Sequence, residues 1–120
     1  MMKSKELLKK VFMLLDEKSA EDIVAFEIEK VSSLSDFIVI CTGNSDIHIK
    51  ALVDHVTETL KGDSIRALSI DGYGKSKWVC IDYGEILINV MGKNERDYYR
   101  LENIWGGCDK LLVEDVLEKS

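Results

Sequence analysis

Apolar residues recur along the chain at two different spacings, and the alternation between them predicts its elements. From Met1 to Lys18 the spacing is helical: Leu7, Leu8, Val11, Phe12 and Leu15 form one stripe, with Lys3, Lys5, Lys9 and Lys10 mostly off it. Ile23–Ile28 alternates instead, with Val24, Phe26 and Ile28 on one side and Ala25 and Glu27 on the other. That predicts a half-exposed strand at a sheet edge. Phe37–Cys41 is continuously apolar, as expected of a strand covered on both faces. Thr42–Asp46 follows, rich in residues that cap helices, and a helix is predicted from Ile47 to Lys61. Its buried stripe is Ile49, Leu52, Val53, Val56 and Leu60, and Gly62 ends it. Ile65–Ile70 is the next predicted strand, which makes a strand–helix–strand unit with parallel strands and a right-handed crossover.

The second half turns on a hairpin. Trp78–Ile81 and Ile86–Met91 are apolar and rich in β-branched residues, and they flank Asp82-Tyr83-Gly84-Glu85. Glycine accepts positive φ and aspartate can bond its own backbone, so the tetrad reads as a tight turn. Alternation puts Trp78, Cys80 and Asp82 on one face and Val79, Ile81 and Tyr83 on the other. Before the hairpin, Asp71–Lys77 reads as a loop with two glycines. After it, Asn94 is placed to cap a helix from Glu95 to about Ile104, with Tyr98, Leu101 and Trp105 on one side. Gly106-Gly107 breaks that helix, and Cys108–Ser120 reads as an acidic tail with a final helical turn or two. Together these predict an α/β domain, a mixed sheet of about five strands with flanking helices.

Composition narrows the function. The chain has 120 residues, 46% of them apolar, enough for one domain with a real core. Its 22 acids against 16 bases give a net charge of −6. Phosphate backbones would meet repulsion, so a partner surface rich in Lys or Arg fits better than nucleic acid. No apolar run approaches the roughly 20 residues that span a bilayer. Met1–Lys10 has no signal-peptide core, so a cytoplasmic protein is expected. Cys41, Cys80 and Cys108 are odd in number and widely separated, and read as small hydrophobes.

Candidate chemistry fails to assemble. Thr42-Gly43-Asn44-Ser45 lies between a strand and a helix N-terminus, where backbone N–H groups favour anions. Ordinary capping explains the same residues, and no second phosphate ligand is present. Gly43-x-Ser45 echoes the start of a nucleotidyltransferase site, the alternative reading as a nucleotide-binding enzyme. Two-metal phosphoryl transfer needs paired carboxylates, whereas Asp71, Asp82 and Glu85 are scattered over a loop and a turn. His48 and His55 sit on one helix, roughly two turns or about 10 Å apart, too far to share a metal. Ser45, Ser69 and Ser76 have no nucleophile-elbow context. What remains is a concentration of aromatics, Trp78, Tyr83, Tyr98, Tyr99 and Trp105, the residue types that anchor protein interfaces.

Three stretches carry a resemblance. They are Ser35-Asp36-Phe37-x-Val39-Ile40-Cys41-Thr42-Gly43-Asn44-Ser45, then Gly72-Tyr73, then Trp78-Val-x-x-Asp82-Tyr83-Gly84 with Ile88-x-Val90-Met91 and Glu95-Arg96-x-x-Tyr99-x-Leu101-Glu102-x-x-Trp105. About residues 5–106 closely resemble the ribosomal silencing factor (Iojap) family, which implies a silencing-factor domain over 1–106 and an acidic tail, 107–120, outside it. The resemblance implies a nucleotidyltransferase-like fold without catalytic acids, and no enzymatic activity, cofactor or metal. It implies binding to the large ribosomal subunit through ribosomal protein L14 (uL14), which blocks subunit joining and represses translation. It also implies a homodimer off the ribosome, and neither membrane nor DNA as partner. By position the partner-binding residues are Trp78, Ile81, Asp82, Tyr83, Gly84 and Ile88, with Tyr99, Leu101 and Trp105 secondary or supporting. The chain departs from the common pattern at Asn89, where His is usual, at Asp71, where Glu is usual, and at Asp46.

Overall fold

The computed structural model describes residues 3–117. α1 (Ser4–Glu17) leads into β1 (Glu21–Glu27) and β2 (Phe37–Gly43), followed by α2 (Asp46–Gly62), β3 (Ser69–Asp71), β4 (Trp78–Asp82) and β5 (Ile86–Gly92). α3 (Lys93–Tyr99), a 3-10 segment (Leu101–Trp105), β6 (Asp109–Leu112) and α4 (Val113–Val116) complete the fold. The six strands lie in the order β3-β4-β5-β2-β1-β6, all neighbours antiparallel except β2 and β5.

Both long helices form where the periodicity predicts them. Leu7, Leu8, Val11, Phe12 and Leu15 of α1 are buried, with Leu14 added, and all five residues of the α2 stripe are buried. Both stripes bury against one face of the sheet, where they meet Ala25, Val39, Val79, Ile81, Ile86 and Ile88. The first two residues of the first predicted helix and the last three of the predicted tail lie outside the described residues.

Three expectations are corrected. β1 is not an edge strand, because β6 pairs along its outer side, with Val24 opposite Leu112 and Glu27 opposite Asp109. The mixed sheet with flanking helices is as expected, and β6 brings its strands to six. The strand predicted over Ile65–Ile70 shrinks to Ser69–Asp71 at the far edge, where its partner β4 is itself only five residues long. It runs in the same direction as β2, as a crossover requires, but β4 and β5 lie between them. The place beside β2 belongs to β5, whose seven residues pair with it from Phe37 opposite Ile86 to Gly43 opposite Gly92. Two strands that are apolar on both faces are most stable side by side at the sheet centre. Finally, the helix after the hairpin starts two residues early, with Gly92 rather than Asn94 at its N-cap, and breaks at Arg100. Arg100 adopts φ 48°, and that left-handed residue redirects the chain into the 3-10 segment.

Candidate functional site

The two faces of the sheet have different cover, and cross-strand register sorts every hairpin residue between them. Asp71, Cys80, Asn89, Ile40, Val24 and Leu112 form one row running across the sheet. Ser69, Asp82, Leu87, Ile38, Phe26 and Lys110 form the next. Both rows point away from α1 and α2. Over β1, β2 and β5 this second face is apolar, and Leu101, Trp105, Cys108, Leu87 and Trp78 pack against it. Toward β4 the cover runs out, and Trp78, Cys80, Asp82 and Leu87 are all half-buried.

Trp78 is the best-fixed aromatic of that open region. Its indole N–H donates to Asn89 Oδ1 at 2.9 Å, and Asn89 Nδ2 donates to the Val39 carbonyl at 3.3 Å. Asn89 is itself buried, so the bonded indole cannot turn without leaving a buried amide unpaired. On the outer side the Tyr99 ring meets the indole at 5.0 Å between centroids, tilted by 45°. Tyr98 stands edge-on to Tyr99 at 4.9 Å. Tyr98 and Tyr99 are exposed by 80% and 54%. The result is an aromatic ledge beside the uncovered end of the sheet.

The hairpin tip is held in one shape. Gly84 takes φ 83°, its N–H donates to Asp82 Oδ1 at 2.7 Å, and Tyr83 N–H donates to the Ile86 carbonyl at 2.9 Å. Ser35 Oγ donates to the Gly84 carbonyl at 2.7 Å, and Asp36 and Phe37 N–H both donate to that of Glu85. Exposed Leu68 lies beside the turn, 3.5 Å from where a Cβ on Gly84 would sit. A surface with so little internal freedom loses little entropy on docking.

The residues carried over by motif divide cleanly. Trp78, Asp82 and Gly84 are half-buried at the open end of the sheet with exposed Tyr99 beside them, and Leu101 and Trp105 are half-buried against its apolar part. Ile81 and Ile88, paired across the strands, have no exposed surface and face α1 and α2. Tyr83 is 8% exposed on that same side, and burial pushes its phenol up to about 12. These three lie behind the open face and are not presented at the surface. The alternation along β4 already assigns them there, whereas motif position does not. Leu87, Cys80 and Leu68 take their place on the surface. Leu87 was legible from the period-two pattern, because it shares parity with Asn89, but Leu68 lies in irregular chain and carried no signal.

Two N–H groups of the Thr42–Asp46 turn and the helix start are taken up by local capping bonds. His48 N–H donates to Ser45 Oγ at 3.0 Å, and Asn44 N–H donates to His48 Nδ1 at 2.9 Å. The cavity beside it, about 240 Å³, is lined by Glu21, Asp46 and Glu95 against Lys77 and Lys93. Gly43 is there for packing, since a Cβ would come within 2.7 Å of Ile49 Cγ1. Neither histidine is free either: His48 Nε2 meets the Lys18 carbonyl at 2.7 Å and His55 Nε2 meets Glu17 at 2.9 Å. Among the described residues no helix is long and apolar enough to cross a membrane.

A mixed sheet backed by helices on one face and only half covered on the other defines a domain of the α/β class. The whole chain, residues 1–120, matches the family model described as "Ribosomal silencing factor during starvation". It is 34% identical over 116 residues to a ribosomal silencing factor of Halalkalibacterium halodurans, covering 97% of this chain and 99% of that one. It is 35% identical to the Bacillus subtilis counterpart, covering 88% and 89%. A crystal structure of a Chromobacterium violaceum protein superposes with a TM-score of 0.84 at 30% identity, covering 88% of each chain. The chain belongs to the ribosomal silencing factor family, also known as Iojap.

Proposed function

We propose that this protein is a cytoplasmic silencing factor that binds the large ribosomal subunit through ribosomal protein L14 (uL14) and blocks small-subunit joining. Family membership supports a ribosome-associated silencing role. The observation that carries the docking reading is the aromatic ledge at the uncovered end of the sheet, where bonded Trp78 and stacked Tyr99 adjoin Asp82, Gly84, Cys80 and Leu87. An interface concentrates its energy in a few rigid aromatics surrounded by contacts that exclude water, and this face offers such an arrangement. Asp82 at the turn, with Asp71 on the neighbouring strand, favours a partner carrying Lys or Arg. Off the ribosome, the same apolar ledge is the face on which two copies would pair.

The mechanism is steric. A domain with extents of 34 × 32 × 28 Å, docked where the two subunits meet, occupies space the small subunit needs. No bond is made or broken, so neither cofactor nor turnover is called for. The test is sedimentation with purified large subunits. Wild type should travel with them, and Trp78→Ala should lose about 2 kcal/mol or more of binding. Equal pelleting of the two proteins would refute the interface. Calorimetric titration with nucleotide and magnesium should give no binding heat, and a saturable heat would favour the nucleotide-enzyme reading instead.

A further inference from the structure

A charged side chain lies almost completely buried behind the ledge. Arg96 of α3 is 10% exposed. Its Nε and Nη2 donate to the two Glu102 carboxylate oxygens at 3.0 and 3.1 Å. Its Nη1 donates to the Asp22 carbonyl at 2.7 Å and to Thr42 Oγ1 at 2.9 Å. A guanidinium withdrawn from water is costly unless its donors are matched, and these partners come from three separate parts of the fold. Glu102 belongs to the 3-10 segment, Thr42 to β2 and Asp22 to β1. The β1 partner has its own local distortion: pairing with β2 shifts register between Glu21 and Val24, and Asp22 takes φ 49°. A bulge of this kind redirects a backbone group out of the ladder, here onto Arg96.

The segment that Arg96 ties down has little else to hold it. Neither α3 nor the 3-10 segment contains a fully buried residue, and apart from half-buried Leu101 and Trp105 the clamp is its anchor to the sheet. Tyr99 lies on the same short helix, and its ring against Trp78 forms the outer half of the ledge. Displacing α3 by even a couple of ångströms would separate the two rings.

We infer that Arg96 is a positioning residue of the docking face: by fastening α3 to β1, β2 and the 3-10 segment, it holds Tyr99 against Trp78 and fixes the shape offered to the partner. The inference rests on the reading of that face as the ribosome-docking surface. A clamp that served stability alone would lower the melting temperature without acting through Tyr99.

Arg96→Gln removes the charge and the bidentate fork and keeps most of the stem. The variant should fold, lose the nuclear Overhauser contacts between the Trp78 and Tyr99 rings, and associate with large subunits roughly fivefold to tenfold more weakly, the scale of coupling between touching residues. Added to Tyr99→Ala, it should cause no further loss of association. Persistence of the ring contact, or simple addition of the two losses, overturns the inference. His55→Ala, on the far side of the molecule, is the stability control and should associate as wild type does. If Arg96→Gln does not fold, Arg96→Lys, which keeps the charge without the fork, is read by the same criteria. Failure of wild type to associate would refute the docking reading, and the ring contacts in Arg96→Gln would still decide the role of Arg96.

Discussion

At the scale of single residues, the face depends on a few side chains whose surroundings leave them one conformation. Asn89→Ala deletes the acceptor of the Trp78 indole and should destabilise the fold by about 1–2 kcal/mol, read by denaturant unfolding. The same variant should shift Trp78 emission to the red as the ring loosens. Gly84→Ala has room for a methyl, 3.5 Å from Leu68 Cδ1, so its cost is the positive φ, about 1–2 kcal/mol. The thiols should separate by reactivity. Burial pushes Cys41 up to about 12, partly opposed by the Arg96 charge, so a thiol reagent at mildly alkaline pH should reach it only on unfolding. Half-buried Cys80, raised chiefly by burial and then by Asp82 and Asp71, should react slowly in the native protein. Rapid labelling of three thiols without denaturant would mean that the sheet opens far more readily than its burial implies. The Gly84 turn was legible from Asp-Tyr-Gly-Glu, because only a few residue types tolerate that backbone. The orientation of Ile81 and Ile88 was equally legible from alternation. A single step along a strand reverses the face, so motif position alone does not bring Ile81 and Ile88 to the surface.

At the scale of elements, helices were the easiest to read and the edges of the sheet the hardest. A stripe such as Ile49-Leu52-Val53-Val56-Leu60 is a local signal, repeated over about three turns. β6 has no such signal. Asp109-Lys-Leu-Leu112 is too short to show a period, and it becomes a strand only because β1 offers an unpaired edge from the other end of the chain. Likewise, nothing local to Glu95–Ile104 announces the break at Arg100. That break serves the ion pair of Arg96 with Glu102, which the sequence shows only as two charges six apart. Ending the chain at Gly107 should therefore be severe. It removes β6 and the half-buried Leu111, Val113, Val116 and Leu117 that pack on the main core, and it exposes the β1 edge to other chains. Thermal unfolding should shift down by many degrees with aggregation, and an unchanged melting temperature would make residues 107–120 a dispensable tail. The clamp also has a pH signature. Hydrogen bonding to Arg96 holds the Glu102 carboxyl below its usual range, against an opposing contribution from partial burial. A carboxylate with a lowered folded pKa stabilises fully above the unfolded pKa, and that contribution is lost as pH falls through the folded value. Glu102→Gln should thus be less stable than wild type near neutrality, with the gap closing under acid, below about pH 4.5.

At the scale of the whole molecule, charge and rigidity decide how the protein would reach its partner. The net charge of −6 is spread over a body with a radius of gyration of 13.1 Å, so its field extends beyond the contact surface. On the proposed docking face, Asp82 and Asp71 add local negative potential beside the aromatic ledge. The two contributions separate kinetically. Apolar anchors set how long a complex lasts, whereas long-range charge sets how often productive encounters occur. The Debye length falls from about 30 Å at 0.01 M salt to about 8 Å at 0.15 M, so the long-range attraction should be screened over that range. Association with isolated L14, free of ribosomal RNA and followed by stopped flow, should therefore slow steadily as salt rises, with dissociation nearly unchanged. Asp82→Asn should flatten that dependence while leaving the off-rate close to wild type, and Trp78→Ala should do the reverse. If added salt speeds association, the partner surface is itself acidic and the charge argument for a Lys- and Arg-rich partner fails. If salt acts only on dissociation, the acids are contact residues and do not steer the encounter.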